Sequence, residues 1–300
     1  MPAAVQAKAL AGAGQLAWLQ DDTAGGQAFY RASLAIYREL DDPGGIADAL
    51  RGLGMAAADA GDPARGRVFM EQSLALWRQT ADAYGVAYTL SCLAFSAHAM
   101  GDDAAAQALW DESLPLWWHL GHRVGLAVQL RFLGELAQAR GASGAAHALF
   151  TESLGLAREV GHKQGIAYTQ CSLAGVVGSQ GDYAEARSLL GESLVGFQDV
   201  GDRAEVARSL EGWGTIAAAQ GQPERVLRLA GAAAALRAAI GVPPAPNEQA
   251  ELDQLAERAR QALGTAAAQA GAEGQAMSLA QAIAYALSQG EDTPSEKRRA

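Results

Sequence analysis

Five histidines, two cysteines and a recurring set of serines are the side chains of this 300-residue sequence most suited to chemistry. His119 and His122 lie three residues apart, and His162 follows His122 by 40. A metal site needs several ligands within about 2 Å of one ion, whereas equivalent residues on stacked helices sit about 10 Å apart. Asp42, Asp82 and Asp202 hold the same position as His122 and His162, so both histidines read as helix starts and no metal is expected. Ser33, Ser73, Ser113, Ser153 and Ser193 recur at one spacing. None has the histidine and acid that nucleophilic activation requires, so they read as small spacers where helices meet. Cys92 and Cys171 are too far apart for a disulfide and read as small apolar residues of a reduced protein. No GxxxxGK[ST] phosphate cradle occurs. The expectation is therefore no enzyme and no cofactor.

Recognition by a surface is what remains. Residues at i, i+3 and i+7 along the first helix of each unit include Arg51 and Met55, then Tyr88, Ser91 and Phe95, then Arg131 and Glu135, then Tyr168 and Cys171. Arg51 and Arg131 suit a carboxylate held bidentately; Tyr88, Phe95 and Tyr168 suit apolar side chains of a partner. The candidate groove is Arg51, Met55, Tyr88, Phe95, Arg131, Glu135 and Tyr168. The plain alternative is a solvent face of self-neutralising pairs such as Arg131 with Glu135.

The elements that must carry these residues follow from a strict period. Alanine stands at residues 7, 47, 87, 127, 167 and 207, and Ser-Leu recurs from Ser33-Leu34 to Ser193-Leu194, so the unit is 40 residues without insertion. A period of this size marks a solenoid whose units stack on their neighbours. Within residues 41–80, Asp42-Pro43 opens one helix with a capping carboxylate and a pre-set first residue. Ile46, Ala47, Leu50, Leu53 and Ala57 form its buried stripe, and Gly61 ends it. Asp62-Pro63 opens the second, with Val68, Phe69, Leu74 and Leu76 as its apolar residues, as far as Thr80. Asp182 with Glu185, and Asp202 with Glu205, have capping-box spacing. Leu53, Leu93, Leu133, Leu173 and Trp213 make one core column; Ile46, Val86, Leu126, Ile166 and Val206 make another. Pro115 offends the pattern, removing a hydrogen bond to Asp111 and predicting a kink beside Trp117-Trp118.

The fold class predicted is all-α, a right-handed α-solenoid of about six antiparallel helix pairs with units near 1–40, 41–80, 81–120, 121–160, 161–200 and 201–240. A Pro-rich linker, 241–247, ends the array. Capping helices over 248–289 follow, Glu248–Leu263 and Ser278–Ser288 among them, and then a disordered tail, 290–300.

Leu133-Gly134, Gly141, Ala146, Phe150 and Ser153-Leu154 together resemble the tetratricopeptide repeat, and Leu173, Gly181-Asp182-Tyr183, Ala186 and Leu190 resemble it further. The unit here is longer than that family's usual length of about 34. The strings "AKALAGAGQLAWLQDD", "SLAIYRELDDPGGIADALRGLG" and "LAGAAAALRAAIGVPPAP" resemble the repeat region of bacterial LuxR-type regulators and signal-transduction ATPases, over residues 1 to about 288. That resemblance implies the sensor or scaffold portion of such a system, without the ATPase or the helix-turn-helix domain.

Charge narrows the partners. Acids outnumber bases 33 to 23, for a formal net charge of −10, which argues against a nucleic-acid surface. No signal segment or membrane span is visible, so a soluble, cytoplasmic location is expected. Leu10, Leu16 and Trp18 lie on a first helix with no element before it to pack on, which implies either an upstream domain or a partner at that face, a second copy included. The reading is a non-enzymatic scaffold that binds protein or peptide, with a stand-alone adaptor or self-associating module, or a receptor for a small-molecule effector, as alternatives.

Overall fold

The computed structural model describes residues 2–20, 22–244 and 246–288, with the side chains of residues 246 and 247 outside that description. Described residues are helical or in short turns, and none forms a strand. The chain divides after Leu136 into two compact units.

The first unit stacks helices α1 (Ala3–Leu19), α2 (Thr23–Glu39), α3 (Pro43–Asp59), α4 (Pro63–Gln79), α5 (Ala83–Ala99) and α6 (Asp103–Leu120). The next helix, α7 (Arg123–Ala139), contains the division. The second unit holds α8 (Ser143–Glu159), α9 (Lys163–Ser179), α10 (Tyr183–Val200), α11 (Arg203–Ala219) and α12 (Pro223–Ile240), followed by α13 (Pro246–Leu263), α14 (Ala267–Gln275) and α15 (Leu279–Leu287). From α1 to α6 and from α8 to α14 consecutive helices pack as neighbours, the arrangement of an α-solenoid of tandem helix pairs.

A finer rhythm underlies the 40-residue period. Every twentieth residue from 41 to 241 has a left-handed backbone, which ends one helix and turns the chain into the next. Glycine fills nine of these eleven positions, since it alone takes that conformation without strain; the exceptions are Asp41 (φ 50°) and Ala81 (φ 54°). One residue later comes the cap. Asp22, Asp42, Asp62, Asp82, Asp102, Asp182 and Asp202 each accept a backbone N–H three residues on, at 2.8–3.2 Å. His122 does the same through Nδ1, accepting from Gly125 N at 3.0 Å. The reciprocal capping box closes elsewhere, between Ser278 and Gln281.

The alanine column is sealed: Ala7, Ala47, Ala87, Ala127, Ala167 and Ala207 are at most 2% exposed. Small residues there let facing helices approach until side chains reach main chain. Ser33 Oγ donates to Ala7 O (2.8 Å) and Ser73 Oγ to Ala47 O (2.7 Å), so these serines are hydrogen-bonded ties as well as spacers. Later copies retain the burial and change the partner, Gln129 Oε1 for Ser113 (2.8 Å) and Thr169 Oγ1 for Ser153 (3.1 Å). The Leu53 to Trp213 column is buried throughout, whereas Ile46, Val86 and Ile166 of the second column are only half-buried.

Three places differ from, or add to, what the sequence shows. Val68 is 51% exposed; the core of α4 is Met70, Ser73 and Leu74, with Gly66 one turn earlier on the same face. Helix α6 continues through Pro115, which lies on its exposed face, with Trp117 buried and Trp118 exposed. Helix α14 has no apolar stripe to announce it. Its warrant is close packing on α12: a Cβ on Gly274 would lie 2.1 Å from Arg228 O, and one on Gly231 2.4 Å from Gly271 O. Helix α15 packs on α10, α11 and α12, and Arg225 of α12 donates to its last carbonyls, Tyr285 O (3.2 Å), Ala286 O (2.8 Å) and Ser288 O (2.9 Å). The stretch 290–300, read as disordered, lies outside the described residues. No described helix is long and apolar enough to cross a membrane.

Candidate binding site

Helical spacing on α5 puts Tyr88, Ser91, Cys92 and Phe95 on one face, and in the first unit that face meets a cavity. Met55 of α3 stands on one side and Val128 and Phe132 of α7 on the other, with Trp110 and Trp117 of α6 behind. The volume is about 590 Å³, inside the range of about 300–1,000 Å³ typical of ligand pockets.

Aromatic packing builds the walls. Trp110 is 1% exposed and stacks on Phe132 with ring centres 5.6 Å apart; Phe95 meets Phe132 edge-on at 5.4 Å. Such offset and edge geometries satisfy the ring quadrupoles. Trp117 is held by its Nε1 donating to Ser91 Oγ (3.1 Å), which itself donates to Ala87 O (2.9 Å). Gln129, buried beside them, accepts from Ser113, so its polar end is spent on the fold. Sulfur completes the lining: Cys92 Sγ lies 3.8 Å from Met55 Sδ, and Met70 and Met100 also border the space. Burial pushes the Cys92 thiol up from its ordinary pKa, with the Arg51 guanidinium pulling the other way.

The seven residues singled out by spacing divide into three groups. Met55, Tyr88 and Phe95 line the cavity. Arg51 adjoins it, its Cζ 4.4 Å from the centre of the Tyr88 ring and Nη1 3.7 Å from Met55 Sδ, but its guanidinium is already paired with Asp48. Arg131 is likewise paired with Glu135 and lies over the Phe132 ring at 4.0 Å. Each arginine thus already has an acidic partner on its own helix. Tyr168 lies in the second unit, donating from its hydroxyl to Asp202 (3.0 Å) and packing edge-on against Phe197. Its contacts belong to repeat packing.

Cys92, Trp110, Trp117 and Phe132 are wall residues that spacing did not pick out. Trp117 stands out only beside Pro115, and Cys92 reads as a small buried hydrophobe, whereas it is half-buried at the cavity. One signal was present: the column Gly52, Cys92, Phe132, Ser172 and Gly212 varies widely in size, unlike the alanine column.

The second unit has a larger space of about 1,050 Å³ bordered by α9, α10, α11 and the end of α15. Lys163, Arg187, Glu192 and Asp199 stand around it, so its character is mixed and charged. Among the described residues no three of His, Cys, Asp or Glu come together as metal ligands would.

No family model matches the chain, and a search of curated proteins finds no match. Solved structures match its fold. The apo form of RapI superposes with a TM-score of 0.60 at 13% identity, over 86% of this chain and 98% of that one. The apo form of the quorum sensor NprR from B. thuringiensis gives 0.56 at 15% identity, over 83% and 75%. A putative kinesin light chain from Podosopora anserina, described as nearly identical TPR-like repeats, gives 0.50 at 14%, over 67% and 99%. The fold is thus tetratricopeptide-like.

Proposed function

We propose that this chain is a recognition scaffold that binds a protein or peptide partner across the α5 face of its first unit. One observation carries the reading: Tyr84 and Phe95, large aromatics three turns apart on α5, are 47% and 50% exposed. Tyr88 lies between them, stacked on Tyr84 at 6.0 Å. Exposed aromatics held in place by neighbours are the side chains that dominate binding energy at interfaces. The Arg51–Asp48 and Arg131–Glu135 pairs flank the row with fixed, self-compensated charge, which suits specificity at a rim more than affinity. The wider role we propose is the sensor segment of a bacterial transcription-regulating ATPase system. It is supported by the resemblance of the repeat strings to LuxR-type regulators and by the likeness in fold to a protein described as a quorum sensor.

The test is selection of a displayed 12-residue peptide library on the immobilised chain, followed by titration against Phe95→Asp. Selected peptides should carry an aromatic or aliphatic anchor and bind the variant at least about tenfold more weakly, the loss of one anchor worth about 1.4 kcal/mol or more. Peptides indifferent to Phe95→Asp would move recognition off this face. Co-purification from the native cell with an ATPase or a DNA-binding regulator tests the wider role, and its consistent absence would remove that part alone.

A further inference from the structure

We propose that the cavity behind Phe95 is a receptor site for a small, uncharged aromatic molecule, the effector of the scaffold; the proposal deepens the sensor reading and rests on it. The walls state the shape and polarity of the guest. Trp110, Trp117, Phe95 and Phe132 offer faces and edges, and Met55 and Cys92 offer polarisable sulfur, both favourable to an aromatic ring. The volume of about 590 Å³ is that of a small-molecule pocket.

Charge is excluded by the company around the cavity. Asp59 accepts from Trp18 Nε1, Arg51 is paired with Asp48, and His98 contacts Asp103 at 2.7 Å. A charged guest would find no free counter-charge among these groups, and an uncompensated buried charge is strongly unfavourable. Two polar atoms are nevertheless left over at the wall. Ser96, 8% exposed, borders the cavity and its buried Oγ has no hydrogen-bond partner. A buried hydroxyl without a partner is an uncommon cost in a folded protein; shielded from the cavity as it stands, it would reach a guest hydroxyl or carbonyl on turning about χ1, and the pairing would relieve that cost. His122 also borders the space; its Nδ1 accepts from Gly125 N, which leaves Nε2 as a second donor.

The repeat explains why the space exists and supplies the means to fill it. At the position of Cys92 the next repeat carries Phe132, so this column accommodates a phenyl ring. Cys92→Phe should occupy the cavity from within while retaining the fold, and Met55→Trp does so from the opposite wall.

The experiment titrates the full chain with 2-naphthol, naphthalene and 2-naphthoate by calorimetry and tryptophan fluorescence. We expect one equivalent of 2-naphthol to bind, about tenfold more tightly than naphthalene, a factor matching one added hydrogen bond, and at least about tenfold more tightly than anionic 2-naphthoate. Ser96→Ala should erase the preference for 2-naphthol over naphthalene. Cys92→Phe and Met55→Trp, with helical content unchanged by circular dichroism, should each abolish binding. Failure of both neutral compounds to bind at their solubility limit overturns the proposal, as does equal binding to the two filled variants. If Phe95-dependent peptides bind while the naphthalenes do not, the effector site falls and the scaffold stands. Naphthol binding that is lost in the filled variants supports the site even where peptide binding is indifferent to Phe95→Asp, an outcome that sinks the scaffold reading instead.

Discussion

Replacing Ala81 by glycine should make this protein more stable, against the usual effect of glycine. Ala81 ends α4 with φ at 54°, in the column where Gly121, Gly161, Gly201 and Gly241 do the same work. A side chain in the left-handed region costs about 1–2 kcal/mol, and glycine loses about 0.5–1 kcal/mol of backbone entropy relative to alanine. The difference favours Ala81→Gly by about 0.5–1 kcal/mol. Two controls isolate the cause. Gly121→Ala, where an added Cβ meets nothing within 4 Å, is the reverse change in the same turn and should cost a net of about 0.5–1 kcal/mol, the strain less the entropy regained. Ala60→Gly, at a helix end with φ at −75°, relieves no strain and should cost up to about 1 kcal/mol. Urea unfolding followed by circular dichroism measures all three. Should Ala81→Gly prove as destabilising as Ala60→Gly, the left-handed turn at residue 81 is wrong, and with it the twenty-residue rhythm as the device that sets the repeat.

Other consequences are as specific. Gly274→Ala puts a methyl 2.1 Å from the Arg228 carbonyl, so α14 must move off α12; we expect a loss of about 1–3 kcal/mol and faster hydrogen exchange in α14. Arg225→Ala removes the donor to three carbonyls at the end of α15, and exchange protection or resistance to proteolysis over 279–287 should fall before the rest of the second unit responds. Burial raises the pKa of Cys92, and burial together with Cys92 raises that of Tyr88. Both groups therefore hold their protons more tightly when folded, so their contribution is complete below the unfolded pKa and is lost as pH rises through the folded one. The urea midpoint should decline above about pH 8.5, where an ordinary thiol begins to ionise, and Cys92→Ala should flatten the first part of that decline.

The regular parts of the molecule were legible because they are local. An aspartate before seven of the helices, a glycine after most of them and an alanine every 40 residues each act within one or two turns, and the backbone follows them. Asp41 and Ala81 hide the same turn behind residue types that seldom adopt it. Helix α14 was illegible because glycine against glycine packing on α12 is a tertiary event with no periodic trace, and Met70 displaced Val68 because the phase of α4 is set by the helices around it. The candidate site divides in the same manner. Met55, Tyr88 and Phe95 show in the sequence as variation on one helical face, but only the stacking of α6 against α7 reveals that Trp110 and Phe132 bound a space and do not fill it. The pairing of Arg131 with Glu135 was open to the sequence as an i,i+4 alternative, whereas that of Arg51 with Asp48 depends on side-chain geometry.

The central claim is that recognition happens in the first unit, at and behind Phe95, and methionine methyl NMR tests it most directly. Of the five methionines, Met55, Met70 and Met100 border the cavity, whereas Met277 packs in the second unit. Titration with a selected peptide or with 2-naphthol should shift the methyl signals of Met55, Met70 and Met100 and leave Met277 in place. A titration that saturates while moving Met277 and none of the three would contradict the account.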